Sequence, residues 1–127
     1  MIVGLGIDLV ETQRLRQVLA RHGERARRRL FSARELADCA ERADAGECLA
    51  ASFAAKEAAL KALGTGKLPG IRWTDLELLR AGSGRPQLEL GGEARAQAER
   101  LGAARVWVSI SHDAGLACAV VVLEGAA

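Results

Sequence analysis

Aromatic residues are scarce in this 127-residue chain, with only Phe31, Phe53, Trp73 and Trp107 present. The core must therefore be built from Leu, Val, Ile and Ala. Half of the residues are hydrophobic, which is enough for such a core. A small aliphatic core leaves modest stability, and association with further copies would add to it. Cysteine is scarce too: Cys39, Cys48 and Cys118 are odd in number and contain no Cys-x-x-Cys. Neither a disulfide framework nor a zinc site is expected. No apolar run approaches membrane-spanning length. The N-terminus lacks the basic region of a signal peptide, and its apolar run Ile2 to Val10 is short and broken by Asp8. These absences lead to the expectation of one domain over residues 1–127, in a reducing cytoplasm and away from the membrane.

Acidic residues are nearly missing from one segment. Between Arg14 and Arg29 lie seven arginines, with Glu24 as the only acid. The formal net charge is only +2, so the remainder of the chain is acidic on balance. This asymmetry points to a local anionic partner for that segment.

Ile2 to Val10 reads as a buried strand. Its alternation puts Val3, Leu5, Ile7 and Leu9 on one face and Gly4, Gly6 and Asp8 on the other. The glycine face leaves room for a close approach to the backbone. Glu11 to Leu30 has helical periodicity in Leu15, Val18, Leu19, His22 and Ala26, with Gly23 as the place for an interruption. If that helix is continuous, Arg14, Arg21, Arg25 and Arg28 form a separate stripe. Ser32 and Glu35 make a capping box for a second helix. After a break at Ala43 to Gly46, the alanine-rich segment Glu47 to Leu63 is the strongest helix, with Leu49, Phe53 and Leu60 on one stripe and Lys56 flanking it. Gly64-Thr65-Gly66 ends it. Trp73 to Leu79 and Gln87 to Leu90 alternate as strands around the turn Ala81-Gly82-Ser83-Gly84. A helix over Glu93 to Leu101 precedes two strands, Arg105 to Ser111 and Leu116 to Leu123. The order β-α-α-α-β-β-α-β-β is that of an α+β fold with a mostly antiparallel sheet packed against a long central helix.

Asp8 is costly to bury as a bare anion and needs a cation, a metal or several donors. The plainer alternative is an aspartate capping the next helix. Glu57 falls at the margin of the central helix stripe, with Lys61 one turn on. The plainer alternative there is a surface ion pair with Lys61, worth a few tenths of a kcal/mol. Two carboxylates brought together would suit Mg²⁺, which takes oxygen ligands and keeps waters and substrate phosphates. Gly64 to Lys67 offers backbone N–H groups to a phosphate, or is simply a helix C-cap. Ser111-His112-Asp113 closes a strand. Adjacent residues cannot form a catalytic relay, so a hydrolase is rejected. His112 stands at the strand end, where ligands bind, or is a turn histidine donating to backbone.

In chain order these pieces form a pattern. Gly6-Ile7-Asp8-Leu9-Val10-Glu11, Phe53-Ala54-Ala55-Lys56-Glu57-Ala58-Ala59-Leu60-Lys61 with Ala62-Leu63-Gly64-Thr65-Gly66, Gly84-Arg85-Pro86, and Val108-Ser109-Ile110-Ser111-His112-Asp113 resemble the motifs of the holo-acyl-carrier-protein synthases. The resemblance spans residues 6 to 113, and its central block is the most specific part.

The resemblance implies a 4′-phosphopantetheinyl transferase-like fold. It implies an enzyme that moves 4′-phosphopantetheine from coenzyme A to a serine of an apo acyl carrier protein, in fatty-acid or polyketide biosynthesis. It further implies Mg²⁺ held by Asp8 and Glu57, Lys61 at the phosphates or assisting proton transfer, and a homotrimer with sites between subunits. Gly64, Thr65, Gly66, Arg85, Pro86, Ser111 and His112 would line the coenzyme A pocket. Arg14, Arg21, Arg25 and Arg28 would receive the carrier protein. The family often has an arginine before the Phe of the central block; here Ser52 stands there, with Arg42 and Arg72 as substitutes to consider. A non-catalytic anion-binding module is the alternative, but it should lack a metal carboxylate or the lysine, and Asp8, Glu57 and Lys61 are all present. Nucleic acid as partner of the arginine helix is disfavoured, because the aromatics sit in core-like positions and no nucleic-acid motif occurs.

Overall fold

The computed structural model describes residues 1–80 and 82–126. The elements run β1 Ile2–Glu11, α1 Thr12–Leu30, α2 Ala33–Ala40, α3 Ala45–Ala62, a 3₁₀ turn Trp73–Asp75, β2 Leu76–Arg80, β3 Pro86–Leu90, α4 Gly92–Arg100, β4 Ala103–Asp113 and β5 Leu116–Gly125. Order and class are those expected, and every strand pairing is antiparallel. The strands divide between two sheets, one ordered β1-β5-β4 and the other the hairpin β2-β3, where one sheet was expected. The hairpin's first strand also starts late, since Trp73–Asp75 winds into a 3₁₀ turn in which Asp75 accepts from the Arg72 N–H. Ala81 of the expected hairpin turn lies outside the described residues.

Helix α3 is buried around nearly its whole circumference, not on a single stripe. Alanine makes this possible by giving the helix a slim, smooth surface. Against it lies the glycine face of β1. A Cβ built at Gly6 would stand 1.9 Å from the Ala58 carbonyl oxygen, and one at Gly4 2.2 Å from that of Ala62. Only glycine allows this approach. The opposite face of β1 corrects the reading of a buried strand, for Leu5, Ile7 and Leu9 are 65%, 56% and 61% exposed. Trp107 and Leu116 are exposed on the same sheet face.

Gly23 interrupts α1 with φ 64° and ψ −149°, a conformation that side chains with a Cβ resist. The arginine stripe is therefore not continuous: Arg14 and Arg21 precede the break, and Arg25 and Arg28 follow it. On the apolar side Leu15 and Leu19 are buried, whereas Val18 and His22 are exposed. The capping box of α2 forms as expected from Ser32 and Glu35. Helix α3 begins at Ala45, ahead of the expected Glu47, because Asp44 caps it by accepting from the Glu47 N–H at 3.0 Å. Both carboxylate oxygens of Asp44 are held by Arg16 Nη2 at 2.6 Å.

Lys56 does not flank a stripe; it is 0% exposed and paired with Glu35, itself 1% exposed. Desolvation pulls the lysine pKa down, and the Glu35 carboxylate opposes that pull. Cys39 and Cys48 supply a second correction. They form a disulfide between α2 and α3, with Cα atoms 5.4 Å apart, within the normal range for such a bond. Sequence spacing does not reveal it, because the facing of the two helices decides it. Among the described residues, no helix is long and apolar enough to cross a membrane.

Candidate active-site cleft

Strand alternation turns Asp8 to the same face as Gly4 and Gly6, toward α3. There Lys61 Nζ donates to Asp8 Oδ1 at 2.9 Å and to the Ile7 carbonyl oxygen at 3.0 Å. Asp8 is thus an ion-pair partner and not a helix cap; α1 has no side-chain cap bond at its N-terminus. Glu57 stands one turn before Lys61 on the strip of α3 that meets solvent beyond its first turn, which runs Phe53, Glu57, Lys61. Among the described residues no ion pair joins Glu57 to Lys61, since the lysine is engaged by Asp8. Burial pushes the Glu57 carboxyl pKa up, the Asp8 charge pushes it further, and Lys61 opposes both.

The donor set fits a hard divalent cation. Two carboxylates repel each other across a part-buried site, and a single ammonium group does not neutralise both. No group of three or more His, Cys, Asp or Glu gathers into a metal cluster among the described residues. An ion held by Asp8 and Glu57 would therefore fill its other positions with water and substrate oxygens, the habit of Mg²⁺.

Asp8 and Glu57 line one cleft of about 710 Å³ together with Glu11, Arg14, Phe53 and Leu116. Arg14 is thus on the wall of the carboxylate cleft. Arg14 and Arg21 also line an adjoining groove with Gln17, Val18 and His22. Arg25 and Arg28 lie beyond the Gly23 break, and Arg28 pairs with Glu24 at 3.4 Å. Sequence reading missed Phe53 as a cleft residue, having placed it on a core stripe. Its ring meets that of Trp73 at a tilt of 42°, with centroids 5.0 Å apart.

The residues expected to bind coenzyme A do not gather in this cleft. Arg85 and Pro86 line a separate groove with Trp107, and the Arg85 guanidinium lies 5.7 Å from the Trp107 ring centroid. His112 is on strand β4 and not in a turn; its Nδ1 is 3.8 Å from Glu47 Oε1. Its groove shares Leu116 with the carboxylate cleft. Ser111 is exposed on β4, and no hydrogen bond links Ser111, His112 and Asp113 among the described residues. Gly64, Thr65 and Gly66 follow the C-terminus of α3, where Gly64 and Gly66 have positive φ and Thr65 Oγ1 donates to the Gly66 carbonyl oxygen. Ser52 is buried and donates to Glu35 Oε2. Of the two substitutes considered for it, Arg42 pairs with Asp38 and Arg72 with Asp75.

Residues 4–121 match the model of the 4′-phosphopantetheinyl transferase superfamily. The holo-[acyl-carrier-protein] synthase of Alkalilimnicola ehrlichii is 54% identical over 125 residues, covering 98% of each chain. The crystal structure of the Neisseria meningitidis synthase superposes with a TM-score of 0.88 at 30% identity, covering 98% of this chain and 99% of that one. That of Helicobacter pylori, in complex with coenzyme A, superposes with a TM-score of 0.82 at 29% identity, covering 94% and 99%. With its glycine-faced strand, its Asp8–Lys61–Glu57 cluster and this similarity along its whole length, the chain belongs to the 4′-phosphopantetheinyl transferase superfamily.

Proposed function

We propose that this protein is a holo-acyl-carrier-protein synthase, transferring 4′-phosphopantetheine from coenzyme A to a serine of an apo acyl carrier protein. The observation that carries the reading is the joint presence of Asp8, Glu57 and Arg14 on one cleft, in a chain so similar to named synthases. The domain is residues 1–127, and the setting is fatty-acid or polyketide biosynthesis in the cytoplasm. In that reducing setting the Cys39–Cys48 disulfide would be open to reduction.

The reaction makes one bond and breaks one. The serine oxygen attacks the phosphorus that bears pantetheine, and the bond to the 5′-phosphate of 3′,5′-ADP breaks. The serine proton must go to a base, and we assign this role to Glu57. It lies on the cleft beside Asp8, on the strip of α3 that reaches solvent. Asp8 and Glu57 would hold Mg²⁺, which supplies positive charge to a pyrophosphate. Lys61 fixes Asp8 and adds a cation at the phosphates. Arg14 and Arg21, exposed beside the cleft, would receive acidic groups of the carrier protein, and Arg25 and Arg28 would extend that surface past the Gly23 break.

A homotrimer completes the reading. What supports association is the exposed apolar face of Leu5, Ile7, Leu9 and Leu116, since contiguous exposed apolar residues mark interaction sites. The dispersal of Arg85, Pro86, Ser111 and His112 away from the cleft agrees with a coenzyme A pocket shared between subunits. Mixing inactive Asp8→Asn and His112→Ala proteins tests this: regained transfer supports shared sites, and no regain contradicts them. The transfer itself is tested by release of 3′,5′-ADP from coenzyme A, dependent on apo carrier protein and stopped by EDTA. Release without carrier protein, or untouched by EDTA, would contradict the reading.

A further inference from the structure

Helix α3 poses a mechanical problem. Ala50, Ala51, Ala54, Ala55, Ala58 and Ala59 are all buried, and they present small, similar surfaces on several sides. On those sides the helix lacks large side chains that interlock with its neighbours; Leu49 and Leu60 are the large buried ones it carries. The alanine sides by themselves resist a rotation or an axial slip weakly, and the Lys61 bonds to Asp8 and Ile7 hold the helix to β1 at one end only. Yet Glu57 must stand in a fixed relation to Asp8, which is on a different element.

One polar cluster interlocks where the alanines do not. Lys56 Nζ donates to Glu35 Oε1 at 2.6 Å, to the Trp73 carbonyl oxygen at 2.8 Å and to the Leu76 carbonyl oxygen. All three ammonium protons are thereby used. Glu35 in turn accepts from the Ser32 N–H at 3.0 Å, the Leu78 N–H at 3.1 Å and the Ser52 hydroxyl. No buried side-chain N or O atom is without a partner among the described residues. The cluster thus ties α3 to α2, to the 3₁₀ turn and to β2. A buried ion pair is seldom more stabilising than apolar residues of the same volume, so stability alone does not account for it. Lys56 directly precedes Glu57, so whatever fixes Lys56 fixes the azimuth of Glu57 about 100° away.

We propose that the buried Lys56–Glu35 pair positions Glu57, by fixing the rotation and register of α3 against β1. Lys56 is a positioning residue and touches no substrate. The proposal rests on the reading of Asp8 and Glu57 as metal ligands.

The test is the double variant E35L/K56M, which removes both charges and fills the space with apolar side chains. Three quantities are measured: thermal stability, Mn²⁺ affinity by electron paramagnetic resonance, and kcat and KM for transfer. We expect a folded protein with a lowered melting temperature, because the Leu78 N–H, the Ser52 hydroxyl and the Trp73 and Leu76 carbonyl oxygens lose their partners. Mn²⁺ binding should weaken about tenfold or more. The loss in transfer should fall in kcat, with KM for the carrier protein unchanged. A folded double variant with wild-type Mn²⁺ affinity and wild-type kcat overturns the proposal. If the double variant does not fold, S52A decides, because it removes one hydroxyl from Glu35 and little volume. It should weaken Mn²⁺ binding by a smaller factor than the double variant is expected to, and unchanged binding overturns the proposal. Wild-type protein that binds no Mn²⁺ contradicts the metal reading instead, and kcat of the variants then decides the positioning role.

Discussion

Lys61 Nζ lies 2.9 Å from Asp8 Oδ1 and bridges the first strand to the central helix. The same ammonium group lowers the Glu57 pKa, against the upward push of burial and of Asp8. Removing it should leave Glu57 protonated to higher pH. We expect the acid limb of the kcat/KM profile to move to higher pH in Lys61→Gln, with a lower plateau. An unchanged limb in Lys61→Gln would separate Glu57 from the titration that controls transfer.

Glu57 also links activity to stability. Its folded-state pKa is raised above the unfolded value, so its favourable contribution is fully present below the unfolded pKa. That contribution is lost as pH rises through the folded pKa. Glu57→Gln should therefore raise the melting temperature slightly at neutral pH, and the gain should vanish in acid. Melting curves at neutral and acid pH check this. A variant destabilised at neutral pH would contradict the repulsion from Asp8.

Arg14 is on the wall of the carboxylate cleft, which Gly64, Thr65, Gly66, Arg85, Pro86, Ser111 and His112 do not line. Arg14→Glu should raise KM for the carrier protein about tenfold and leave KM for coenzyme A nearly unchanged. Raised salt should weaken carrier binding in the wild type more than in the variant. Equal effects on both substrates would remove Arg14 from carrier recognition.

Gly6 is the tightest contact between β1 and α3. Gly6→Ala would drive a methyl group into the Ala58 carbonyl oxygen. Overpacking of this kind costs about 1–3 kcal/mol or more, which is a fall of roughly 5–10 °C or more in melting temperature for a domain of this size. Activity should fall further than stability, because Asp8 rides on the displaced strand. A variant with wild-type melting temperature would contradict the close approach.

Much of the fold was legible because local chemistry set it. Gly23, the Ser32–Glu35 box and the glycines after α3 mark their boundaries through backbone conformation and capping, and those rules act within a few residues. The alternation of β1 placed Asp8 on the glycine face correctly. It did not say which face the core would take, and the apolar face of Leu5, Ile7 and Leu9 turned out exposed. That face answers to a surface outside the single chain, which alternation does not describe. Glu35 was read as a capping residue and is one, but it also accepts from Lys56. The signal for Lys56 was present: a helix with alanine on every side leaves a lysine at that position no solvent face. The Cys39–Cys48 bond and the dispersal of Arg85, Pro86, Ser111 and His112 depend on how distant elements meet, and spacing holds no record of that.

The central claim is that Asp8 and Glu57 together carry out phosphopantetheine transfer. Intact mass spectrometry of an apo acyl carrier protein tests it most directly, after incubation with coenzyme A, Mg²⁺ and either wild-type protein, Asp8→Asn or Glu57→Gln. The wild type should add one phosphopantetheine mass to the carrier. Each variant, folded and with a wild-type melting curve or better, should slow that gain by at least about a hundredfold. No mass gain with the wild type, or a gain at wild-type rate with either variant, would contradict the account.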